Sequence, residues 1–388
     1  MHRGVIVHVY TSITTNYLPK AAVLAHSLKQ SNPGLTFHLL LSDDLPADCP
    51  AQTLSAFDHI VTPDKLAIEN LKAWTFGHSV VELCTAVKGP MLEYLFDKVK
   101  AERVLYFDPD IAVLGSLDDL NATLSQHSVA LTPHQLEPEE TVQAIIDNEI
   151  CSLAHGVYNL GFLAVRNTEQ GLKFAHWWAD RLRLFCHDDR PRGLFTDQRW
   201  VDLAPAFFDD IAILRNPGFN VATWNLTHRK ASGKAPLNIT INGQPLTFYH
   251  FSGFDSGAQL TMLDRYGKES PVLFDLRDWY LAECEKYGQS LLGNRPSKWA
   301  NYDNGETITK QQRVLYRTRK DLQVAFPDPY ATSDLSKSYY HWFAANGMRA
   351  IASQDKPEQA WVKMLRKHSH KPPLKWAKSA WKSFRTKS

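Results

Sequence analysis

The sequence predicts an α/β protein, a mixed and mainly parallel sheet flanked by helices, with a helical C-terminal extension. Three observations predict it. The chain opens as strand, loop, helix, strand; a later apolar strand runs into a pair of aspartates, Asp108 and Asp110; and from about Gln259 onward helical patterning takes over. With 388 residues, 44% hydrophobic and 22% charged, the chain is long enough to bury a large core.

The opening run GVIVHVY (4–10) is β-branched and apolar, the pattern of a buried strand. TSITTN (11–16) reads as a polar turn, and YLPKAAVLAHSLKQ (17–30) has helical spacing through Leu18, Ala22, Ala25 and Leu28 until Asn32-Pro33-Gly34 stops it. LTFHLLLSD (35–43) is a second buried strand and HIVTP (59–63) a short third. This order opens a parallel sheet whose ligand loops lie at the carboxyl ends of its strands. SVVELCTAVKGPMLEYLFDKV (79–99) is helical with an interruption at Gly89-Pro90, and RVLYFD (103–108) is a fourth strand. YNLGFLAVRN (158–167) alternates as a strand, and EQGLKFAHWWADRLRLF (169–185) follows as an amphipathic helix. A loop-rich stretch then carries FTDQRWVDLAP (195–205), NPGFNVATWNLTHR (216–229) and FYHFSGFDSG (248–257). No internal repeat or low-complexity tract interrupts the chain.

Composition narrows the classes. No run approaches the roughly 18 apolar residues of a membrane span, and the N-terminal apolar run is too short for a secretory signal. Five scattered cysteines without a C-x-x-C pair speak against a disulfide framework or zinc site, so a reducing, cytoplasmic setting is expected. The net charge of +2 hides an asymmetry: nine of the 43 basic residues and none of the 41 acidic ones fall in 361–388, leaving 34 basic residues in the body. An acidic body with a basic tail, lacking a recognition motif, is not expected to bind nucleic acid.

The chemistry concentrates at RVLYFDPDIAVLGSL (103–117). A buried strand delivers Asp108 and Asp110 to the sheet edge, where two neighbouring carboxylates are costly unless a divalent cation neutralises them. Such a cation would in turn hold a diphosphate.

The combination resembles the GT-A class of nucleotide-sugar glycosyltransferases, and more narrowly glycosyltransferase family 8, which includes glycogenin and bacterial lipooligosaccharide galactosyltransferases. VYTSITTNYLPKAAVLAHSLKQSNPGLTFHLLLSDD is similar to the family's opening, and AVKGPMLEYLFDKVKAERVLYFDPDIAVLGSL to its Lys-bearing helix and D-x-D strand. YNLGFLAV is similar to its N-x-G strand, TDQRWVD to its DQ element, and HFSGF stands where a metal-binding His followed by Gly belongs. Together these cover about residues 5–255 in the family's order.

The resemblance implies that Asp108, Asp110 and His250 bind Mn²⁺ or Mg²⁺, with Asp108 also touching the donor. It implies Ser12, Thr14, Asn16 and Tyr17 around the nucleoside, Lys88 and Gly253 on the donor, and Asn159, Gly161, Asp197 and Gln198 around the transferred sugar. Asp197 and Gln198 would take the catalytic part, orienting the reacting sugar with retention at its anomeric carbon. On the residues alone, His250 between Tyr249 and Phe251 is equally a core histidine. Asn16 and Asp197 are equally helix caps, and Lys88 an ordinary helix-end cation. The sequence also departs from the family. The basic ending after the His-x-x-Gly motif is missing and Asp255-Ser256-Gly257 stands there, so the pyrophosphate cation would come from elsewhere, such as Lys268 or Arg229.

The expected activity is transfer of a hexose from a nucleoside-diphosphate sugar, UDP-linked by resemblance, to a glycan or lipid-linked saccharide in bacterial surface-polysaccharide or lipopolysaccharide synthesis. The expected organisation is a catalytic domain over 1–258, a helical region over 259–360 and a basic amphipathic tail over 361–388. Laid on a helix, the tail puts Lys371, Lys375, Lys378, Lys382 and Arg385 on one face and Leu374, Ala377, Trp381 and Phe384 on the other. That is the pattern of an anchor on anionic lipid, which would place the protein on the cytoplasmic face of the membrane. Two other classes remain compatible with D-x-D after a strand. One is a haloacid-dehalogenase-type phosphotransferase, although Ile111-Ala112-Val113 stands where that family places Gly-Thr or Thr. The other is a non-catalytic sugar-binding protein on a transferase fold.

Overall fold

The computed structural model describes residues 7–354. The first residues of the 4–10 run and the whole 361–388 tail lie outside them. By compactness the chain divides into two units, Met1–Asn301 and Tyr302–Ser388.

In chain order the strands of the first unit are β1 (Val7–Ile13), β2 (Thr36–Leu41), β3 (His59–Val61), β4 (Arg103–Phe107), β5 (Ile111–Val113), β6 (Val129–Pro133) and β7 (Tyr158–Arg166). They continue as β8 (Asp188–Asp189), β9 (Leu194–Phe195), β10 (Ile211–Ile213), β11 (Ala231–Lys234), β12 (Asn238–Ile241), β13 (Gln244–Pro245) and β14 (Phe248–His250). Seven form the central sheet in the order β10-β6-β7-β4-β1-β2-β3. β4, β1, β2 and β3 run parallel, and β10 runs parallel to β6. β7 runs against both of its neighbours, which makes the sheet mixed.

Strands buried on both faces read as continuous apolar runs, and β1, β2, β4 and β7 do so because helices cover the sheet on each side. Alternate residues feed two cores. Tyr10, Val104, Tyr106, Leu131 and Leu163 pack on one face with Leu83, Met91, Phe174 and Trp178 from the helices within 80–99 and 169–185. Val9, Phe37, Leu105, Phe107 and Phe162 pack on the other with Leu24 and Leu28 of the helix Leu18–Ser31. A third core joins Tyr249, Phe251 and Ile241 to the helices Ala258–Tyr266 and Val272–Lys286, which therefore pack within the first unit.

The helical stretch 79–99 breaks at Val87, between Val80–Ala86 and Lys88–Tyr94, rather than at Gly89-Pro90. Pro90 sits in the first turn of the second helix, where its missing N–H costs nothing. Gly89 is where that helix crosses Glu169–Phe185: an added Cβ would lie 2.6 Å from the Cα of Ala179. The expected polar turn at 11–16 also differs. Ser12 and Ile13 extend β1 by pairing with Leu40 and Leu41, and the chain turns only after them. The stretch expected to be loop-rich contains β8 to β14, seven strands of two to four residues each. Segments that short show no periodicity to read.

In the second unit, the helix Lys310–Thr318 starts at a capping box between Thr309 and Gln312. The helix Tyr339–Gln354 packs its Tyr339 ring 5.0 Å from that of Tyr316. The Tyr316 hydroxyl donates to the carbonyl of Phe326 at 2.7 Å.

Candidate active site

β4 lies at the middle of the sheet, between β1 and β7, and ends at Phe107. Asp108 donates its backbone N–H to the Gly161 carbonyl at 2.7 Å, and the Ile111 N–H returns to the Asp108 carbonyl at 3.1 Å. This tight turn around Pro109 projects both aspartates from the sheet edge. It leads into β5, which pairs antiparallel with β14 so that His250 stands opposite Ile111. The Phe251 N–H closes the contact on the Asp110 carbonyl at 2.8 Å. A residue some 140 positions away in sequence thus reaches the aspartates through a three-residue strand pair.

His250 Nε2 lies 3.2 Å from Asp110 Oδ1 and 3.9 Å from Asp108 Oδ2. One ligand atom from each of the three residues falls within 4.8 Å of the others. Burial would depress the His250 pKa, but Asp110 and Asp108 outweigh it and hold the imidazole above its ordinary value. Burial works to raise the Asp110 carboxyl; His250 prevails, and Asp110 stands below the usual carboxylate range. Two carboxylates against one imidazole leave net negative charge in a partly closed site. That donor set, hard oxygens plus one nitrogen, fits a divalent ion such as Mn²⁺.

Behind the aspartates lies a buried ion cluster. Lys88 Nζ sits 3.1 Å from Asp108 Oδ1, 2.9 Å from Asp197 Oδ2 and 3.2 Å from the Leu160 carbonyl, with the Tyr106 ring 4.3 Å away. Burial opposes its charge, yet Asp108 and Asp197 together raise its pKa above the ordinary lysine value. Asp197 is buried; desolvation raises its pKa despite Lys88. The Tyr106 hydroxyl donates to Asp108 Oδ1, and the Tyr10 hydroxyl donates to the Lys88 carbonyl at 3.0 Å. Lys88 is therefore the hub of a polar core, not a solvated helix-end cation.

Asn159 and Gln198 meet beside this cluster. Gln198 accepts the Leu160 N–H at 3.0 Å and donates to the His155 carbonyl at 2.9 Å, so both ends of its amide hold backbone. Asn159 Oδ1 accepts from Gly161 N at 3.1 Å and from Asn220 Nδ2 at 2.9 Å. Gly161 has a steric reason: a Cβ there would fall 2.4 Å from His250 Cε1 and 2.7 Å from Asn159 Oδ1. Asp197 precedes the helix Gln198–Val201, but its side chain does not cap it.

At the carboxyl end of β1 the Ser12 hydroxyl is buried without a hydrogen-bond partner among the described residues, and Thr14 Oγ1 donates to Asn16 Oδ1 at 2.8 Å. Asn16 does not cap the following helix, whose N-cap is Tyr17. The Thr15 N–H donates to Asp43 Oδ2 at 3.0 Å. Tyr17 donates to Asp255 Oδ2 at 2.7 Å, and the buried Lys20 pairs with the same carboxylate. Gly253, in the left-handed region at φ 76°, shapes the turn between His250 and Asp255. Arg229 is buried and donates to the Phe219 carbonyl at 2.7 Å, while Lys268 is exposed. Sequence reading passed over Tyr10, Lys20, Asp43, Tyr106, His134 and Asn220. Tyr10, Lys20, Asp43 and Tyr106 fall inside the resembling blocks without a role of their own there, and His134 and Asn220 fall outside them.

Residues 8–171 match the family model described as Glycosyl transferase family 8. Over those residues the chain resembles glycosyltransferase family 8. The matched span takes in Ser12 to Tyr17, Lys88, Asp108, Asp110, Asn159 and Gly161, while Asp197, Gln198 and His250 lie beyond it. The chain is 26% identical over 181 residues to the uncharacterized protein YfnF of Bacillus subtilis (strain 168), a match over 45% of this chain and 57% of that one. It thus spans little more than half the length of that relative. It is 25% identical over 253 residues to YfnD of the same organism, covering 64% of this chain and 78% of the relative. Among solved structures, galactosyltransferase LgtC in complex with donor and acceptor sugar analogs aligns over 76% of this chain and 99% of its own, at 18% identity and TM-score 0.40. The glycosyltransferase GlyE of Streptococcus pneumoniae TIGR4 aligns over 77% and 66%, at 17% and 0.41. Among the described residues, no helix is long and apolar enough to cross a membrane.

Proposed function

We propose that the protein transfers a hexose from a UDP-sugar to a glycan or lipid-linked saccharide, with Asp108, Asp110 and His250 holding Mn²⁺ or Mg²⁺. The supporting observation is the convergence of those three side chains at the carboxyl edge of the sheet, beside the Lys88–Asp197 pair. A bound divalent ion supplies positive charge where the leaving diphosphate gains negative charge.

The chain's own residues perform the rest. Ser12, Thr14, Asn16 and Tyr17 line the carboxyl end of β1 as the nucleoside side of the cleft. Lys88 pairs with both Asp108 and Asp197 and fixes them in place, so Asp197 presents a preorganised carboxylate to positive charge developing on the sugar ring. Gln198 acts through the backbone of His155 and Leu160, setting the floor on which the sugar rests, and Asn159 and Gly161 complete that floor. Retention follows if the acceptor hydroxyl approaches on the face that the diphosphate leaves. Lys20, a buried cation whose carboxylate partner Asp255 is half-exposed, is the cation this reading assigns to the diphosphate. The acceptor belongs to bacterial surface-polysaccharide or lipopolysaccharide synthesis in this reading. The tail at 361–388 rests on anionic lipid of the inner membrane face.

The test is a panel of nucleotide sugars with Mn²⁺, scored for donor hydrolysis and transfer. Turnover with a UDP-hexose is expected, abolished by chelation and restored by Mn²⁺. Asp110→Ala should lower kcat by about 100-fold or more. Undiminished turnover in that variant would overturn the metal reading, and phosphate release from a simple ester instead would favour a phosphotransferase.

A further inference from the structure

The nitrogen that His250 turns toward the aspartates is decided by Asn220, a buried residue in none of the motifs. We infer that Asn220 is a positioning residue that locks His250 as its Nδ1–H tautomer, leaving a bare Nε2 facing Asp108 and Asp110.

The assignment follows from donors and acceptors that have no freedom. A backbone N–H can only donate, so the Asn159 atom 3.1 Å from Gly161 N is its oxygen. Asn220 approaches that same oxygen at 2.9 Å and must therefore present its amide nitrogen. The second proton of that nitrogen goes to Thr132 Oγ1, also at 2.9 Å. Both Asn220 protons are then spent, and what remains for His250 Nδ1, 3.3 Å away, is the carbonyl oxygen. A carbonyl can only accept, so Nδ1 carries the hydrogen.

The far side of the network gives the same polarity independently. Asn159 Nδ2 donates to His134 Nε2 at 3.1 Å, which requires the His134 proton on Nδ1, and there the Val157 carbonyl accepts it at 3.2 Å. Asn220 itself is held in the left-handed region at φ 50°, tolerable for asparagine, and its backbone carbonyl accepts from Asn225 Nδ2 at 3.1 Å.

The choice matters because Asp110 pulls the other way. With Oδ1 3.2 Å from Nε2, this carboxylate favours a proton on Nε2, and an Nε2–H···Oδ1 hydrogen bond would occupy the lone pair a cation needs. Asn220 settles that competition in favour of the cation. The consequence for metal rests on the proposed function; the tautomer does not.

Full-length protein labelled with ¹⁵N in histidine, free of metal at about pH 9, should show His250 protonated at Nδ1 and unprotonated at Nε2, unchanged when Mg²⁺ is added. A proton on Nε2 in the metal-free protein overturns the assignment, whatever the variants do. Asn220→Leu should move the proton to Nε2 and weaken Mn²⁺ binding, followed by electron paramagnetic resonance, by about 10- to 100-fold. A folded Asn220→Leu protein with unchanged tautomer and Mn²⁺ affinity also overturns it. Should wild type bind no Mn²⁺, the cation reading fails, while the spectrum alone still decides the tautomer.

Discussion

Lys88 and Gly161 are the residues on which the geometry of the site turns. Lys88 neutralises Asp197 in a buried setting, with side-chain exposures of 3% and 4%. Removing one partner of such a pair leaves an uncompensated charge, so Lys88→Met should destabilise the protein by about 3–5 kcal/mol in denaturant unfolding. Lys88→Met with Asp197→Leu should recover a large part of that loss; a double variant as unstable as the single one would contradict the pairing. Gly161 leaves room for the imidazole. Gly161→Ala puts a methyl group 2.4 Å from His250 Cε1, and something must shift. A stability loss of about 1–3 kcal/mol is expected, together with weaker Mn²⁺ binding. Unaltered Mn²⁺ affinity would show that the imidazole does not have to stay where it is.

At the scale of elements, buried histidines tie the sheet to pH. His38 in β2 is pushed down to about 3 by burial, with His8 and His59 adding to the effect. His134, just past β6, is pushed down to about 4, chiefly by burial. Both stay neutral in the folded protein, whereas the unfolded chain protonates them below about pH 6.5. Their contribution to stability is therefore complete above that pH and lost as pH falls toward 4 and then 3. Each adds up to about 1.4 kcal/mol per pH unit to the slope. Unfolding measured from pH 7 to 4 should show this fall, and His38→Gln should flatten it by about one proton. An unchanged slope in that variant would mean that His38 is protonated in the fold. The same element scale explains His250: β5 and β14 are three residues each, yet their pairing, with Val221 bridged to β14 on its other side, carries the imidazole to the aspartates.

For the whole molecule, the division at Asn301/Tyr302 separates a unit holding every candidate site residue from a smaller helical one. The acidic body and the basic 361–388 tail divide the labour of binding in the proposed reading. Deleting 361–388 should abolish binding to anionic vesicles in a flotation assay and leave hydrolysis of soluble donor intact. Vesicle binding that survives the deletion would dispose of the tail as anchor.

The sequence by itself determined the α/β architecture, the strand that ends at Asp108, and the helix at 169–185. Each rests on a long apolar run or a clear period, and burial of such runs leaves few alternatives. It also brought His250 and Asp197 into consideration, but only through family resemblance, since nothing local distinguishes a core histidine or a helix-start aspartate from a functional one. The tertiary structure decided the rest. Lys88 as a buried hub, Gly161 as space for a ring, Gln198 as a brace on backbone, and Asn220 as the partner of His250 all depend on contacts between residues 20 to 109 positions apart. Polar side chains acquire a role only when their donors and acceptors are matched in space, and no one-dimensional pattern records which partner each of them finds.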